Sequence, residues 1–354
     1  MAERTRLGVI CGGQSGEHEV SVVSAEHVME AARGRFDVVP IGVTKTGAWL
    51  TPEETGRQLE GGGEAFQKML ELPGAEGILS RPEALRVLGE IDVAFPLIHG
   101  PFGEDGTLQG LLELAGVPYV GAGVAASAIG MDKALMKRIF RQAGLNVVDH
   151  MSVRLGQYRS EADELRDAVE ASIGYPAFVK PANGGSSVGI TKVRSSEDLG
   201  PALCLAFHYD RKVLVERALD AREIECAVLG NDDPEASPLG EIRYTRDFYD
   251  YEAKYLDPNT ELIIPADLPD EKAREIQDLA VRGFRAIDCA GMGRMDFFLA
   301  EDGRVWIDEV NTLPGFTPGS MYPRLWAHAG LGYGDLIARL VELAFERHGE
   351  RRRG

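Results

Sequence analysis

The sequence predicts a mixed α/β protein of two or three domains, for three reasons. At 354 residues the chain is too long for one compact core and should divide. Its first part alternates strand-like apolar runs with helical runs, which is the pattern of an α/β unit. Its last part contains several strand-like runs in succession, which favours a mainly antiparallel sheet.

The N-terminal part begins with a predicted strand at 7–11, followed by the turn Gly12-Gly13. A helix that ends near Arg33 and a second strand at 38–43 complete an α/β unit. The glycine run at 12–16 is a weak match to a dinucleotide fingerprint, and no acidic residue at the end of the second strand completes it. NAD is therefore not an expected ligand.

Two glycine-rich loops should lie side by side. Residues 52–90 form an excursion in which the pattern weakens, and we expect little function there. A clear strand returns at 93–98 and ends in the loop 99–106, before a helix at 107–114. Ligands in open α/β sheets bind beyond the carboxyl ends of the strands. This loop and the loop 12–19 should therefore line one crevice.

The middle of the chain contains a candidate phosphate-binding loop. A helix at 131–143, closed by Gly144, leads into a second domain, where the glycine- and serine-rich loop 181–189 joins two predicted strands. This loop is not a P-loop, because a P-loop is followed by a helix. Its backbone amides could still bind phosphate oxygens. The alternative is that the loop only connects the two strands. The other predicted elements are strands at 177–180, 190–193, 212–217, 224–229, 239–244 and 261–264, and helices at 196–207 (with Ser195 and Asp198 at capping-box spacing), 270–287 and 333–348.

Residues 295–310 predict a β-hairpin around Asp302-Gly303. If those two residues form the turn, Asp296 lies opposite Glu309 and Arg294 opposite Asn311, all on one face.

Opposed carboxylates repel unless a cation lies between them, and oxygen ligands suit Mg²⁺ or Mn²⁺, which commonly also binds substrate phosphates. The alternative is an amphipathic hairpin whose polar face meets water. The long irregular run 311–320 that follows favours a ligand site.

Composition excludes several classes of function. The formal net charge of −18, from 56 acidic and 38 basic residues, argues against a nucleic-acid partner. No apolar run approaches the roughly 18 residues of a membrane span, and the first residues lack a signal-peptide core, so we expect a cytoplasmic protein without a membrane partner. The four cysteines, Cys11, Cys204, Cys226 and Cys289, are far apart and are expected to be reduced core residues.

Seven motifs resemble one family, the ATP-grasp ligases, and within it the D-alanine–D-alanine ligases. They are GGQSGEHEVS at 12–21, HGPFGEDGTLQG at 99–110, MDK at 131–133, VKPANGGSSVG at 179–189, FYDYEAKY at 248–255, GRMD at 293–296 and DEVNTLPGFTPGSMYP at 308–323. The resemblance covers nearly the whole chain. It implies an ATP-grasp fold with an N-terminal Rossmann-like α/β domain at 1–125, a central domain with a glycine/serine flap at 126–218, and a C-terminal domain with the metal site and a closing loop at 219–354.

The resemblance also implies the activity. Members of the family join two D-alanines with ATP through an acyl phosphate, which supplies the dipeptide for peptidoglycan precursors. The expected ligands are therefore D-alanine, ATP as substrate, and two Mg²⁺ or Mn²⁺ ions. A homodimer is the family habit.

Roles for individual residues follow from the matched motifs. Glu17 should hold the ammonium of the first D-alanine in a hydrogen-bonded set with Ser186 and Tyr255, and Arg294 should clamp the carboxylate of the second. The other substrate contacts are His99, near the first D-alanine, and Gly315, Ser320 and Met321, near the second carboxylate. The nucleotide contacts are Lys133, Lys180 and Lys254 for phosphates, Glu216, Arg217 and Leu219 for adenine, and Glu223 for ribose. The metal ligands are Asp296, Glu309 and Asn311.

Relatives often carry Lys where this chain has Arg217, a change that a backbone contact to adenine would tolerate. The loops 183–189 and 245–259 should close over the site and keep water from the acyl phosphate, with Tyr244, Tyr249 and Tyr251 packing inside the second loop.

Two alternatives stay open. A D-alanine:D-lactate ligase is disfavoured because such enzymes tend to alter the position of Tyr255. A catalytically silent ATP-binding regulatory protein is disfavoured because every position expected to act is filled.

Overall fold

The computed structural model describes residues 4–60, 76–243 and 261–351. Helices alternate with three separate sheets of three, four and five strands, so the predicted mixed α/β class is confirmed. None of the helices in these ranges combines the length and apolar character that crossing a bilayer requires.

The N-terminal sheet is parallel, in the order β2-β1-β3. Its strands are β1 (Arg6–Gly12), β2 (Asp37–Val43) and β3 (Val93–Pro96), and its helices are α1 (His18–Ala32), α2 (Pro52–Glu60) and α3 (Thr107–Ala115), with 3₁₀ turns at Ile78–Ser80 and Ala84–Gly89. Ile10 pairs with Pro96, so β1 and β3 end at the same edge. The loops after both strands line one cleft, as predicted.

The central sheet is antiparallel, in the order β4-β7-β5-β6. Its strands are β4 (His150–Arg154), β5 (Ala177–Pro181), β6 (Thr191–Val193) and β7 (Lys212–Arg217). Two helices precede it, α4 (Val124–Met131) and α5 (Lys133–Gln142), and their residues Ala126 and Phe140 belong to the core of the C-terminal sheet. The helices that pack with the central sheet are α6 (Leu155–Ser160), α7 (Ala162–Ser172) and α8 (Ser196–Tyr209).

The helix predicted from about Met131 to Ala143 is confirmed as α5, which begins two residues later, at Lys133. Asp132 is extended (φ −86°, ψ 93°), and its carboxylate accepts a hydrogen bond from the Leu135 amide at 3.1 Å, which caps α5 and separates it from α4. The predicted capping box at the start of α8 is confirmed, with the Asp198 carboxylate 3.2 Å from the Ser195 amide.

The C-terminal sheet is antiparallel as predicted, in the order β10-β9-β8-β11-β12. Its strands are β8 (Ala221–Gly230), β9 (Glu235–Arg243), β10 (Glu261–Ile263), β11 (Gly291–Ala300) and β12 (Val305–Asn311), and its helices are α9 (Asp270–Ala286), α10 (Met321–His328) and α11 (Tyr333–Arg351).

The hairpin of β11 and β12 differs from the prediction at its turn. The Ala300 amide donates to Arg304 at 3.0 Å, so three residues, 301–303, form the loop, and Gly303 supplies the required positive φ of 81°. A bulge between Asp296 and Phe297 then shifts the register, which restores the predicted pairing of Asp296 with Glu309 and leaves Asp308 as the extra residue.

The N-terminal and C-terminal sheets share a hydrophobic core. Phe95 of β3 packs edge-on against Phe316 with ring centroids 5.3 Å apart, and the same cluster contains Ala227 of β8 and Leu340 of α11. The central sheet has its own core around α8, so it meets the rest of the molecule mainly around α5 and the cleft.

All four cysteines are free, but the prediction of four core residues is wrong for Cys204, which is exposed on α8. Burial raises the pKa of the Cys11, Cys226 and Cys289 thiols to about 12 and keeps them protonated.

Candidate active site

A cleft of about 690 Å³ lies between the three sheets. Every predicted site residue that falls within the described ranges lines it. Lys254, Tyr255 and the other tyrosines of the predicted closing loop lie outside those ranges. A cavity of similar volume, about 720 Å³, opens beside Arg4, Arg6 and Arg33 and contains none of the predicted residues.

The glycine/serine loop is joined to the N-terminal sheet through Glu17 and Ser186. Glu17 directly precedes α1, and the Ser186 hydroxyl donates a hydrogen bond to its carboxylate. Ser186 and Ser187 both have positive φ (49° and 57°), an unusual conformation for non-glycine residues that is common at functional sites. A Cβ on Gly185 would lie 2.8 Å from a Glu17 oxygen, so a larger residue at this position would displace the Glu17 carboxylate.

His99 follows β3 and is buried, with 3% of its surface exposed. Its Nδ1 lies 3.2 Å from the Leu313 carbonyl. The Glu104 carboxylate accepts from the amides of Gly100 at 2.7 Å and Leu313 at 3.2 Å. These contacts tie the loop after β3 to the loop after β12. Glu104 also lines the cleft but was not selected from the sequence, although it lies in one of the quoted motifs.

Arg294 on β11 is buried and forms a bidentate pair with Asp296, at 2.8 Å from Nε and 2.7 Å from Nη2. A second carboxylate, Glu225 on β8, lies 3.2 Å from Nε. Burial by itself would lower the pKa of Arg294, but Asp296 and Glu225 hold it well above its usual value. Glu225 was missed in the sequence because its position opposite Asp296 depends on the pairing of β8 with β11.

The predicted metal ligands lie together, and protein cations accompany them. Asp296 is paired across the hairpin with Glu309, and the Asn311 amide donates to Asp296 at 2.8 Å. Lys133 lies 2.9 Å from the Glu309 carboxylate. Burial would raise the pKa of Glu309, but Lys133 and Lys180 together lower it to about 2.

The oxygen-only donor set of Asp296, Glu309 and Asn311 fits a hard divalent cation. Within the part of the chain that the structure describes, no group of three or more His, Cys, Asp and Glu side chains could hold a metal ion. The predicted set contains two carboxylates and one amide.

Beside this set lies a cluster of two lysines and two carboxylates. Lys180 on β5 is 2.7 Å from Glu216 and 3.3 Å from Asp308, and Lys137 on α5 is 2.8 Å from Glu216 and 3.0 Å from Asp308. Burial would lower the pKa of Lys180, but Asp308 and Glu216 raise it above its ordinary value. Burial would likewise raise the pKa of Asp308, but Lys137 and Lys180 hold it well below its ordinary value.

Sequence reasoning missed Lys137 and Asp308. One signal was available for Lys137, since it lies four residues after Lys133 and therefore on the same face of α5.

The predicted nucleotide end is formed by β7, the residues after it, and β8. The Arg217 guanidinium donates to the Ile173 carbonyl at 3.2 Å and lies 3.7 Å from Asp149. Its side chain is therefore engaged by residues of the central sheet and its helices. Glu223 lies on β8, and Phe178 and Phe298 add apolar surface to the cleft wall.

The predicted second-substrate end is an ordered turn. The Ser320 hydroxyl accepts from the Thr317 amide at 3.2 Å and lies 2.9 Å from the Thr317 hydroxyl. A Cβ on Gly315 would lie 3.1 Å from the same hydroxyl. The Tyr333 hydroxyl donates to the Phe316 carbonyl at 2.6 Å, which fixes the backbone between Gly315 and Met321.

The chain matches known proteins along nearly its whole length. Residues 6–122 match the family model for the D-ala D-ala ligase N-terminus, and residues 139–342 match that for the D-ala D-ala ligase C-terminus. The D-alanine–D-alanine ligase of Geobacillus thermodenitrificans is 48% identical over 98% of this chain and 97% of its own length. That of Bacillus velezensis is 51% identical over 96% of this chain and 98% of its own length.

Two solved structures share the fold. The D-alanine–D-alanine ligase of Coxiella burnetii superposes with a TM-score of 0.80 at 33% identity, over 99% of this chain and 97% of that one. The VanG D-Ala:D-Ser ligase of Enterococcus faecalis has the same TM-score and identity, over 97% and 100% of the two chains. The predicted ATP-grasp fold is confirmed by these neighbours.

Proposed function

The chain belongs to the D-alanine–D-alanine ligase family and is a ligase enzyme, and from this premise we propose how its cleft joins two D-alanines with ATP. One observation supports the residue roles most strongly: Glu17, Arg294, the two lysines Lys133 and Lys180, and the opposed pair Asp296 and Glu309 all line one cleft. Both chemical steps gather negative charge, which a site of this kind can balance with cations held in place beforehand.

In the first step, a carboxylate oxygen of one D-alanine attacks the γ-phosphorus of ATP, the bond to the bridging oxygen breaks, and ADP leaves. Lys133 and Lys180, joined by Lys254, bind the phosphates. When bound, Mg²⁺ or Mn²⁺ supplies further charge neutralisation, and Asp296, Glu309 and Asn311 are the residues that would hold two such ions. Adenine lies against Glu216, Arg217 and Leu219, and Glu223 binds the ribose hydroxyls.

In the second step, the amine of the other D-alanine, in its deprotonated form, attacks the acyl carbon. An amide bond forms, the carbon–oxygen bond to phosphate breaks, and phosphate leaves with the proton that the nitrogen releases. Arg294 clamps the carboxylate of this second substrate, and its two planar N–H donors suit that task. The turn with Gly315, Ser320 and Met321 offers further polar contacts.

Glu17 binds the ammonium of the first D-alanine, with His99 close by. The hydrogen bond from Ser186 to Glu17 places the glycine/serine loop over this end of the cleft. Tyr255 joins the set from the closing loop. Covering the site excludes water, which would otherwise hydrolyse the acyl phosphate.

The second substrate is the part of this proposal that most needs an experiment, because a structural neighbour is a D-Ala:D-Ser ligase. Phosphate release from Mg-ATP with D-alanine would be compared with release after adding D-serine or D-lactate, and products identified by mass. We expect D-alanyl-D-alanine to dominate. A mixed dipeptide with D-serine, or a D-lactate ester, as the main product would replace D-alanine as the second substrate. ATP binding without D-alanine-dependent phosphate release would instead support a silent regulator.

Three further proposals accompany the reaction. ATP use favours a cytoplasmic location. The chain forms a homodimer, which light scattering on the purified protein would test. Its domains divide at 125/126 and 218/219, which limited proteolysis would test.

A further inference from the structure

The cluster of Lys137, Lys180, Glu216 and Asp308 is balanced, with two positive and two negative side chains. It joins four elements: α5, β5, β7 and β12. Each lysine lies within ion-pair distance of both carboxylates, at 2.7 to 3.3 Å. The cluster therefore ties the central sheet to the hairpin of the C-terminal sheet, and these two sheets form the walls of the nucleotide end.

The two lysines are not equivalent. Lys180 lines the cleft together with Glu216 and Asp308. The Lys137 side chain is fully buried on α5 and is not among the residues that line the cleft. Of these two lysines, only Lys180 can therefore reach a nucleotide phosphate. To do so, it must loosen its contacts with Glu216 and Asp308.

Buried carboxylates that lose their counter-ion are strongly destabilising. With Lys137 in place, Glu216 and Asp308 each keep a cation, at 2.8 and 3.0 Å, after Lys180 has moved. Lys133, one turn before Lys137 on the same face of α5, lies 2.9 Å from Glu309 and is already engaged there. Without Lys137, both carboxylates would compete with the nucleotide for Lys180.

We propose that Lys137 is a positioning residue, which compensates Glu216 and Asp308 and thereby frees Lys180 for the nucleotide phosphates. This inference rests on the phosphate-binding role of Lys180 in the proposed function. It predicts a specific effect on nucleotide affinity and leaves the D-alanine contacts unchanged.

The test measures binding of ADP with Mg²⁺ by calorimetry on the full chain, together with KM for ATP and for D-alanine. Lys137→Met should weaken ADP binding and raise KM for ATP by about ten-fold or more, equivalent to ~1.4 kcal/mol. KM for D-alanine should change little. Lys137→Arg should retain most of the affinity, because it keeps the charge.

The double variant K137M/D308N separates charge from packing. It removes one cation and one anion, so Lys180 has only Glu216 to balance and the cluster regains equal numbers of positive and negative charges. ADP affinity should therefore return towards the wild-type value. A control is Lys212→Met, which makes the same substitution at a partly buried lysine on β7 that pairs with Asp132, outside the cluster, and it should leave ADP affinity unchanged.

Wild-type ADP affinity in K137M, or a double variant no better than K137M, would overturn the proposal. If K137M does not fold, the single variant Asp308→Asn tests the proposal. It removes one of the carboxylates that hold Lys180, so it should tighten ADP binding. Unchanged or weaker ADP binding would contradict the inference. ADP binding is measured without D-alanine, so the result tests the role of Lys137 even if the amino-acid substrates have been assigned wrongly.

Discussion

Two adjacent glycines of the glycine/serine loop provide a sharp test of the contact between Ser186 and Glu17. An added Cβ on Gly185 would lie 2.8 Å from one Glu17 oxygen and 3.6 Å from its carboxyl carbon. On Gly184 the nearest atom would be the Pro181 Cβ at 3.9 Å, an ordinary contact. Gly185→Ala should therefore displace the Glu17 carboxylate from its contact with Ser186, whereas Gly184→Ala should not.

The expected size of the effect follows from the bond that is lost. The Ser186 hydroxyl donates to the Glu17 carboxylate, and hydrogen bonds to charged groups contribute about 1.5–3 kcal/mol. If the full contact acts in the transition state, G185A should lose about 10- to 150-fold in kcat/KM for D-alanine. Both substitutions restrict the unfolded chain in the same way, by about 0.4–1 kcal/mol, so G184A controls for that effect.

The assay is D-alanine-dependent phosphate release together with dipeptide yield, with a thermal melt to show that both variants fold. G185A should lose kcat/KM and release more phosphate per dipeptide, because the loop no longer excludes water. If G185A and G184A behaved alike, the contact between Ser186 and Glu17 would have no part in the reaction.

Three further predictions follow from other parts of the molecule. Tyr255→Ala should raise futile ATP hydrolysis relative to dipeptide formation, measured as the ratio of phosphate to dipeptide; an unchanged ratio would remove the role of the closing loop. Cys204 alone should react with a thiol reagent in the native protein, because the other three thiols are buried with pKa values near 12. Colorimetric titration should therefore show one fast-reacting thiol per chain. A fast-reacting thiol that remains in Cys204→Ser would contradict this prediction. The pKa of Glu309 is about 2 in the folded protein and 4.5 ordinarily, so this carboxylate contributes stability that is present above pH 4.5 and is lost as the pH falls towards 2. In urea unfolding without metal, Glu309→Gln should lose less stability than the wild type between pH 4.5 and pH 2. Equal losses in the two proteins would refute the effect of Glu309.

Local patterns carried much of the prediction. The hairpin itself could be predicted because its strands are adjacent in sequence and flank a turn signal. The predicted pairing of Asp296 with Glu309 is observed because the bulge offsets the longer turn. The loops after β1 and β3 could be placed together because parallel strands end at a common edge.

Features set by tertiary contacts were not predictable in the same way. The bulge that leaves Asp308 unpaired compensates for a three-residue turn, and neither is specified by the alternation of apolar residues. The sequence places Lys137 on the same face of α5 as Lys133 but does not indicate its partners. Its two carboxylates, Glu216 on β7 and Asp308 on β12, are brought to it by the tertiary fold. Glu225 became visible only through the pairing of β8 with β11.

If the cleft joins two D-alanines through an acyl phosphate, an oxygen of the first D-alanine must pass to the released phosphate, and isotope labelling can follow that oxygen. D-alanine labelled with ¹⁸O in its carboxylate would be incubated with Mg-ATP, and both dipeptide and phosphate analysed by mass. We expect equal amounts of D-alanyl-D-alanine and phosphate, with each phosphate carrying one labelled oxygen from the attacking carboxylate. Unlabelled phosphate, or phosphate released without dipeptide, would contradict the proposed reaction.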